Sequence, residues 1–148
     1  MNPVENPANP AEEASEIDWA PLVEAAQRAR SNSHSPYSRF AVGAAVLTED
    51  GSIFAGCNVE NRSFGATICA ERVAVTSAVA AGHRKFRAVV VVTDTEPPSP
   101  PCGLCREVLA EFAGGDLPIL GINPAGSEER YRLGDVFPHP FEFPVDSE

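Results

Sequence analysis

No run of about 18 or more apolar residues occurs in this sequence, so no membrane-spanning helix is expected. No basic segment followed by an apolar stretch opens it, so no secretory signal is expected either. Basic residues are few: 11 Lys and Arg stand against 21 Asp and Glu, a formal charge of −10. With no basic stripe to hold a phosphate backbone, nucleic acid is excluded as a partner. A phosphate-cradling glycine loop is also missing, which argues against a phosphorylated ligand. Cysteine is scarce as well, with four in 148 residues. Without a secretory signal, those four do not read as a disulfide scaffold. The expected compartment is therefore reducing, the cytoplasm, where thiolates are free to bind metal.

What is present suits one domain with a core of its own. The acidity sits at the ends. Five acids and no base fall in residues 1–18, three acids and no base in 142–148, and the body between is nearly balanced. Residues 1–17, with Pro3, Pro7 and Pro10, read as a disordered N-terminal extension, 18–141 as the domain, and 142–148 as an acidic tail. Ser15 to Asp18 offers an N-cap with Ile17 as a staple, and Trp19, Leu22, Val23, Ala26 and Ala29 follow helical spacing to about Arg30. Apolar runs at 42–47 and 53–55 flank Asp50-Gly51, a strong hairpin signal. Residues 69–81 are apolar almost all round and predict a buried helix, with Gly82 just past its end. The β-branched run 88–92 predicts a central strand. A third helix is expected over 102–113, with Leu104, Val108 and Phe112 on its inner face, then a strand over 117–122. This order implies an α/β fold, with helices on the faces of a sheet that is parallel in part.

The chemistry-bearing residues are three thiols and a carboxylate. Cys69-Ala70-Glu71 opens one expected helix, and Cys102-Gly103-Leu104-Cys105 opens another. Helix starts favour thiolates, because the first N–H groups and the dipole stabilise negative charge. Three thiolates can hold a tetrahedral Zn²⁺ and leave one position for water. Glu71 is near enough to carry protons without binding the ion. Three thiolates on Zn²⁺ leave a net charge of −1, and Arg72 is the expected offset, donating to a ligand sulfur. Two plainer readings stand beside this one: a redox Cys-x-x-Cys pair, and a structural zinc site with Cys57 as fourth ligand. His34, His83 and His139 read as packing or surface residues.

Four segments together resemble the cytidine deaminase family, of its small three-cysteine zinc type. They are Pro36-Tyr37-Ser38-Arg39-Phe40 with Val42-Gly43-Ala44-Ala45, then Gly56-Cys57-Asn58-Val59-Glu60-Asn61, Thr67-Ile68-Cys69-Ala70-Glu71-Arg72 and Pro101-Cys102-Gly103-Leu104-Cys105-Arg106. The resemblance implies a three-layer α/β/α sandwich around a mixed five-stranded sheet. It implies Zn²⁺ as cofactor, with Cys69, Cys102 and Cys105 as ligands. The implied reaction is hydrolytic deamination of cytidine and 2′-deoxycytidine to uridine and 2′-deoxyuridine, with release of ammonia, as in pyrimidine salvage. Glu71 would be the catalytic proton carrier, and the Ala70 N–H would bind the pyrimidine O2. Asn58 and Glu60 would grip the ribose 3′-hydroxyl, and Phe40 would pack on the base. Phe141, in Pro138-His139-Pro140-Phe141, would help close an active site shared across a homotetramer.

Several residues depart from the family pattern. Phe64 lacks the hydroxyl of a frequent tyrosine, Ala41 replaces a proline, and Pro100 replaces a serine. Arg62 adds a charge beside the ribose loop, with surface exposure expected. Glu107 replaces a glutamine and is expected to need a partner, either Arg106 or a neighbouring subunit.

Overall fold

In the computed structural model, which describes residues 16–145, five strands form one sheet between two layers of helix. The elements in chain order are α1 (Trp19–Arg30), β1 (Gly43–Thr48), β2 (Ile53–Cys57), α2 (Ala70–Ala80), β3 (Phe86–Val92), α3 (Gly103–Phe112), β4 (Pro118–Ile122), β5 (Glu128–Arg132) and the short α4 (Leu133–Val136). The sheet order is β2-β1-β3-β4-β5. Only β3 and β4 run parallel, with Val89 opposite Ile119, and α3 makes the crossover between them. The other three pairings are antiparallel, so the sheet is mixed.

Strand alternation divides the core into two. Ala44, Val46, Val89, Val91 and Ile119 point to one face, where they pack with Ala74, Val75 and Ala78 of α2 and Leu109 of α3. Ala45, Ala88, Val90, Val92, Leu120 and Ile122 point to the other, where Leu22 and Ala26 of α1 cover them. A period of two in the strands thus produces the three layers. Ile17 is buried with the α1 cluster, although the expected boundary put it in the extension. The disorder expected of residues 1–15 and the end of the acidic tail, 146–148, lie outside the described residues.

Local signals explain most boundaries. Between β1 and β2, Gly51 takes φ +89, and the Asp50 carboxylate accepts from the Thr48 hydroxyl at 2.5 Å and from Ser52 N at 3.1 Å. Those donors hold the Asp50 carboxyl down at about 2. Helix α2 ends in a Schellman motif: His83 N donates to Ala78 O, Gly82 N donates to Val79 O, and Gly82 supplies the positive φ. Asp18 occupies the N-cap of α1 but makes no side-chain cap bond, and Ser15 lies outside the described residues. Leu104 corrects the expected inner face of α3. It is 65% exposed, while Cys105 and Leu109 face inward with Val108 and Phe112 beside them. Strand β5 reads Glu-Glu-Arg-Tyr-Arg and lies at the sheet edge with almost every residue exposed, so it carries no alternating pattern to predict it.

Gly56 of β2 sets the depth of α2. A Cβ there would lie 2.6 Å from Ala74 N and 2.7 Å from Ala70 O, inside any real contact distance. Helix α2 therefore rests directly on strand backbone, and its first turn carries Ala70 and Glu71. Gly56→Ala has to push that turn away. The expected result is a loss of about 1–3 kcal/mol in urea denaturation, as overpacking typically costs, together with weaker zinc retention on dialysis. A variant that keeps wild-type stability and metal content would remove the strand contact as the element that places α2.

Candidate active site

Both helices that bear thiols begin at the same end of the sheet. Helix α3 leaves the carboxyl end of β3, and α2 runs back toward the start of β3, so its own start lies at that same end. This is the edge at which open α/β sheets form their crevices. Cys69 is the N-cap residue of α2, Cys102 is the N-cap residue of α3, and Cys105 lies in the first turn of α3. The Cys69 and Cys102 sulfurs are 3.7 Å apart, those of Cys102 and Cys105 are 3.6 Å apart, and all three lie within 4.8 Å of one another. Sulfurs bound tetrahedrally at about 2.3 Å from one zinc ion are separated by about 3.8 Å, so the three thiols fit Zn²⁺. Cys57, at the end of β2, is not in the cluster.

Charge around the thiols is uneven. Cys69 is held down at about 5, chiefly by the hydrogen bond from the Cys105 thiol, with Arg72 and Cys102 adding to the effect against the cost of burial. Cys105, the donor of that bond, is pushed up by it and by burial. Arg72 Nη2 donates to Cys69 Sγ at 3.3 Å and to Thr67 O at 3.2 Å, while its buried Nε has no hydrogen-bond partner. Glu71 is 5% exposed. Burial pushes its carboxyl up to about 7; its own backbone N–H opposes that rise, and the Cys69 thiolate adds to it.

Cys69, Glu71 and Cys102 open onto a cavity of about 290 Å³. Cys69, Ala70, Glu71 and Cys102 line it together with Phe40, Asn58 and Glu60. The sequence assigned no role to Ser38, Val42, Thr67, Thr93 or Ser99, which also line it, as does Pro100. A larger cavity, about 460 Å³, lies elsewhere against Glu49, Arg87 and Asp116 and contains no thiol, so chemistry and not size identifies the site.

Asn58 and Glu60 are buried and already engaged. Asn58 Oδ1 accepts from Val42 N at 2.9 Å and from the Ser33 hydroxyl, and Nδ2 donates to Phe40 O at 2.7 Å. Glu60 accepts from Tyr37 N at 3.0 Å, Ser38 N at 3.1 Å and the Ser38 hydroxyl, which together hold its carboxyl below the usual range. Each therefore braces the 33–42 loop as well as facing the cavity. Phe141 does not line the cavity. It is 74% exposed and packs edge-on against Phe143. Arg62 is exposed, and Phe64, 69% exposed, packs on Tyr37. The expected Arg106–Glu107 pair does not form within the chain, because Arg106 donates to Pro101 O at 2.7 Å and Val136 O at 2.6 Å. No described helix is long and apolar enough to cross a membrane.

Comparison with known proteins agrees with this geometry. Residues 19–120 match the family described as the cytidine and deoxycytidylate deaminase zinc-binding region. A cytidine deaminase of Sporosarcina psychrophila is 45% identical over 125 residues, 84% of this chain and 92% of that protein. The crystal structure of cytidine deaminase from Burkholderia pseudomallei superposes with a TM-score of 0.81 at 45% identity, over 84% of this chain and all 100% of that one. The structure of the Mycobacterium tuberculosis cytidine deaminase gives a TM-score of 0.75 at 41% identity, over 86% and 100% respectively.

Proposed function

This chain belongs to the cytidine and deoxycytidylate deaminase family, and from that membership we infer how its cleft performs the reaction. It is a zinc-dependent aminohydrolase that deaminates cytidine. The overall change consumes water and yields uridine and ammonia; 2′-deoxycytidine, which differs only at a hydroxyl, is a second substrate. The observation that carries the mechanism is the burial of Glu71 in the cavity that Cys69 and Cys102 of the three-thiol cluster also line.

Cys69, Cys102 and Cys105 would hold Zn²⁺, and the ion would supply the Lewis acidity that makes a water nucleophilic near neutral pH. Glu71 takes one proton from the attacking water and delivers it to N3 of the ring. It then takes the second proton from the oxygen added at C4 and gives it to the amine, which leaves as ammonia while the C4 carbonyl forms. A carboxyl whose burial lifts it toward neutrality suits both directions of transfer. The Ala70 N–H, one of the unpaired donors of the first turn of α2, binds the pyrimidine O2. Asn58 and Glu60 receive the ribose 3′-hydroxyl through the hydrogen-bonding capacity their loop contacts leave, and Phe40 packs on the base. Arg72 draws charge from the Cys69 sulfur, which moderates an otherwise electron-rich thiolate set.

The finer reading is a cytoplasmic homotetramer serving pyrimidine salvage, with Phe141 closing a neighbour's cleft. The assembly part of this reading is supported by the exposure of Leu104, Phe64, Phe141 and Phe143, large apolar side chains, among the described residues. Purified protein incubated with cytidine is expected to release one ammonia per uridine formed and to carry one zinc ion per chain. Full zinc with no ammonia from cytidine or 2′-deoxycytidine would refute the mechanism.

A further inference from the structure

Ser38 sits at the centre of the loop that closes the sugar side of the cavity. Its hydroxyl donates to Glu60 Oε2 at 2.5 Å and accepts from Phe40 N at 3.0 Å, and its own N–H donates to Glu60 Oε1 at 3.1 Å. The Phe40 carbonyl in turn accepts from Asn58 Nδ2 at 2.7 Å. One side chain thus links the carboxylate, the aromatic and the amide that face the cavity. The residue between Ser38 and Phe40 is under constraint. Arg39 takes φ 57, the left-handed region, and is the only described residue other than glycine to do so. A serine hydroxyl that accepts from the N–H two residues on imitates a backbone turn and holds such a conformation.

We propose that Ser38 is a positioning residue for sugar recognition. Its hydroxyl fixes the rotation of the Glu60 carboxylate and the backbone of Phe40, and so aims one carboxylate oxygen at the nucleoside 3′-hydroxyl. This rests on the reading that Asn58 and Glu60 take the ribose. With the hydroxyl removed, Glu60 keeps its two backbone donors on Oε1, but Oε2 loses its anchor. Arg39 also loses one of the contacts that hold its left-handed conformation, leaving the bonds from Arg39 N to Ser35 O and from Asn58 Nδ2 to Phe40 O. The hydrogen bonds of Ser38 go to Glu60 and Phe40, and none reaches Glu71 or the thiols.

The test compares kcat/KM for cytidine with that for 3′-deoxycytidine, in zinc-loaded full-length protein. Wild type is expected to favour cytidine strongly. Ser38→Ala and Ser38→Cys are both expected to cut that preference about tenfold or more, the size of a lost hydrogen bond to a charged group. Ser38→Thr, which keeps the hydroxyl, is expected to retain it. The cysteine variant fills the same space, so a folding defect in the alanine variant leaves the test intact. A preference that stays at the wild-type value, or rises, in either variant lacking the hydroxyl overturns the proposal. A wild-type enzyme that does not distinguish the two nucleosides removes the ribose reading itself, and the positioning role with it.

Discussion

Glu71→Gln is expected to lower kcat by about 10²–10⁴-fold, the usual contribution of a positioned acid–base group, while zinc content and fold remain intact. Gln is nearly the shape of Glu and cannot transfer a proton, so binding and metal retention should survive and turnover should not. Stability gives a second readout. Burial raises the folded carboxyl from 4.5 to about 7. A raised pKa contributes stability that is fully present below the unfolded value and is lost as pH rises from 4.5 through about 7. Above pH 7 the metal-free protein carries a buried carboxylate that the Gln variant lacks. Metal-free Glu71→Gln should therefore unfold at a temperature no lower than metal-free wild type at pH 8, and that advantage should vanish at pH 4. A melting temperature clearly below wild type at pH 8 would mean that Glu71 is structural. Unchanged kcat would remove it from the proton path.

The metal chemistry was legible because it depends on identity and short spacing. Two helix starts that carry cysteine need only meet once, and the strand and helix order places both at one end of the sheet. The core was legible wherever a strand had a clean period of two, as in β1 and β3. Leu104 was misplaced because i, i+4 spacing fits two faces of α3 equally well. The zinc-facing Cys105 chose the other face, with Leu109 one turn on. Strand β5 was invisible because its charges suit an exposed edge and dilute any alternation. The double duty of Asn58 and Glu60 could not be read at all. Their partners, Ser33, Ser38, Phe40 and Val42, lie 16 to 25 residues away in sequence and meet them only in the folded loop.

Cys105→Ala is expected to abolish both bound zinc and turnover, a larger loss than Glu71→Gln and of a different kind. Cys105 is fully buried, and its sulfur lies 3.6 Å from that of Cys102 within the three-thiol cluster. Two thiols remain after the substitution, and a pair at two helix starts is a poor zinc site when three were built to share it. Metal binding is also folding energy, because the unfolded chain offers no such cluster. Zinc per chain should therefore fall from one toward zero after dialysis against a chelator, ammonia release should drop below detection, and the melting temperature should fall with the metal. Chelation of wild type should lower its melting temperature in the same direction. Cys57→Ala is the control: that thiol lies outside the cluster, so zinc and turnover should persist. If Cys105→Ala keeps stoichiometric zinc, the three-thiol site is wrong. If Cys57→Ala loses zinc, the fourth thiol belongs to the metal and the open position for water disappears. The two substitutions together separate a closed structural zinc site from an open catalytic one, a distinction that the spacing of the cysteines alone left open.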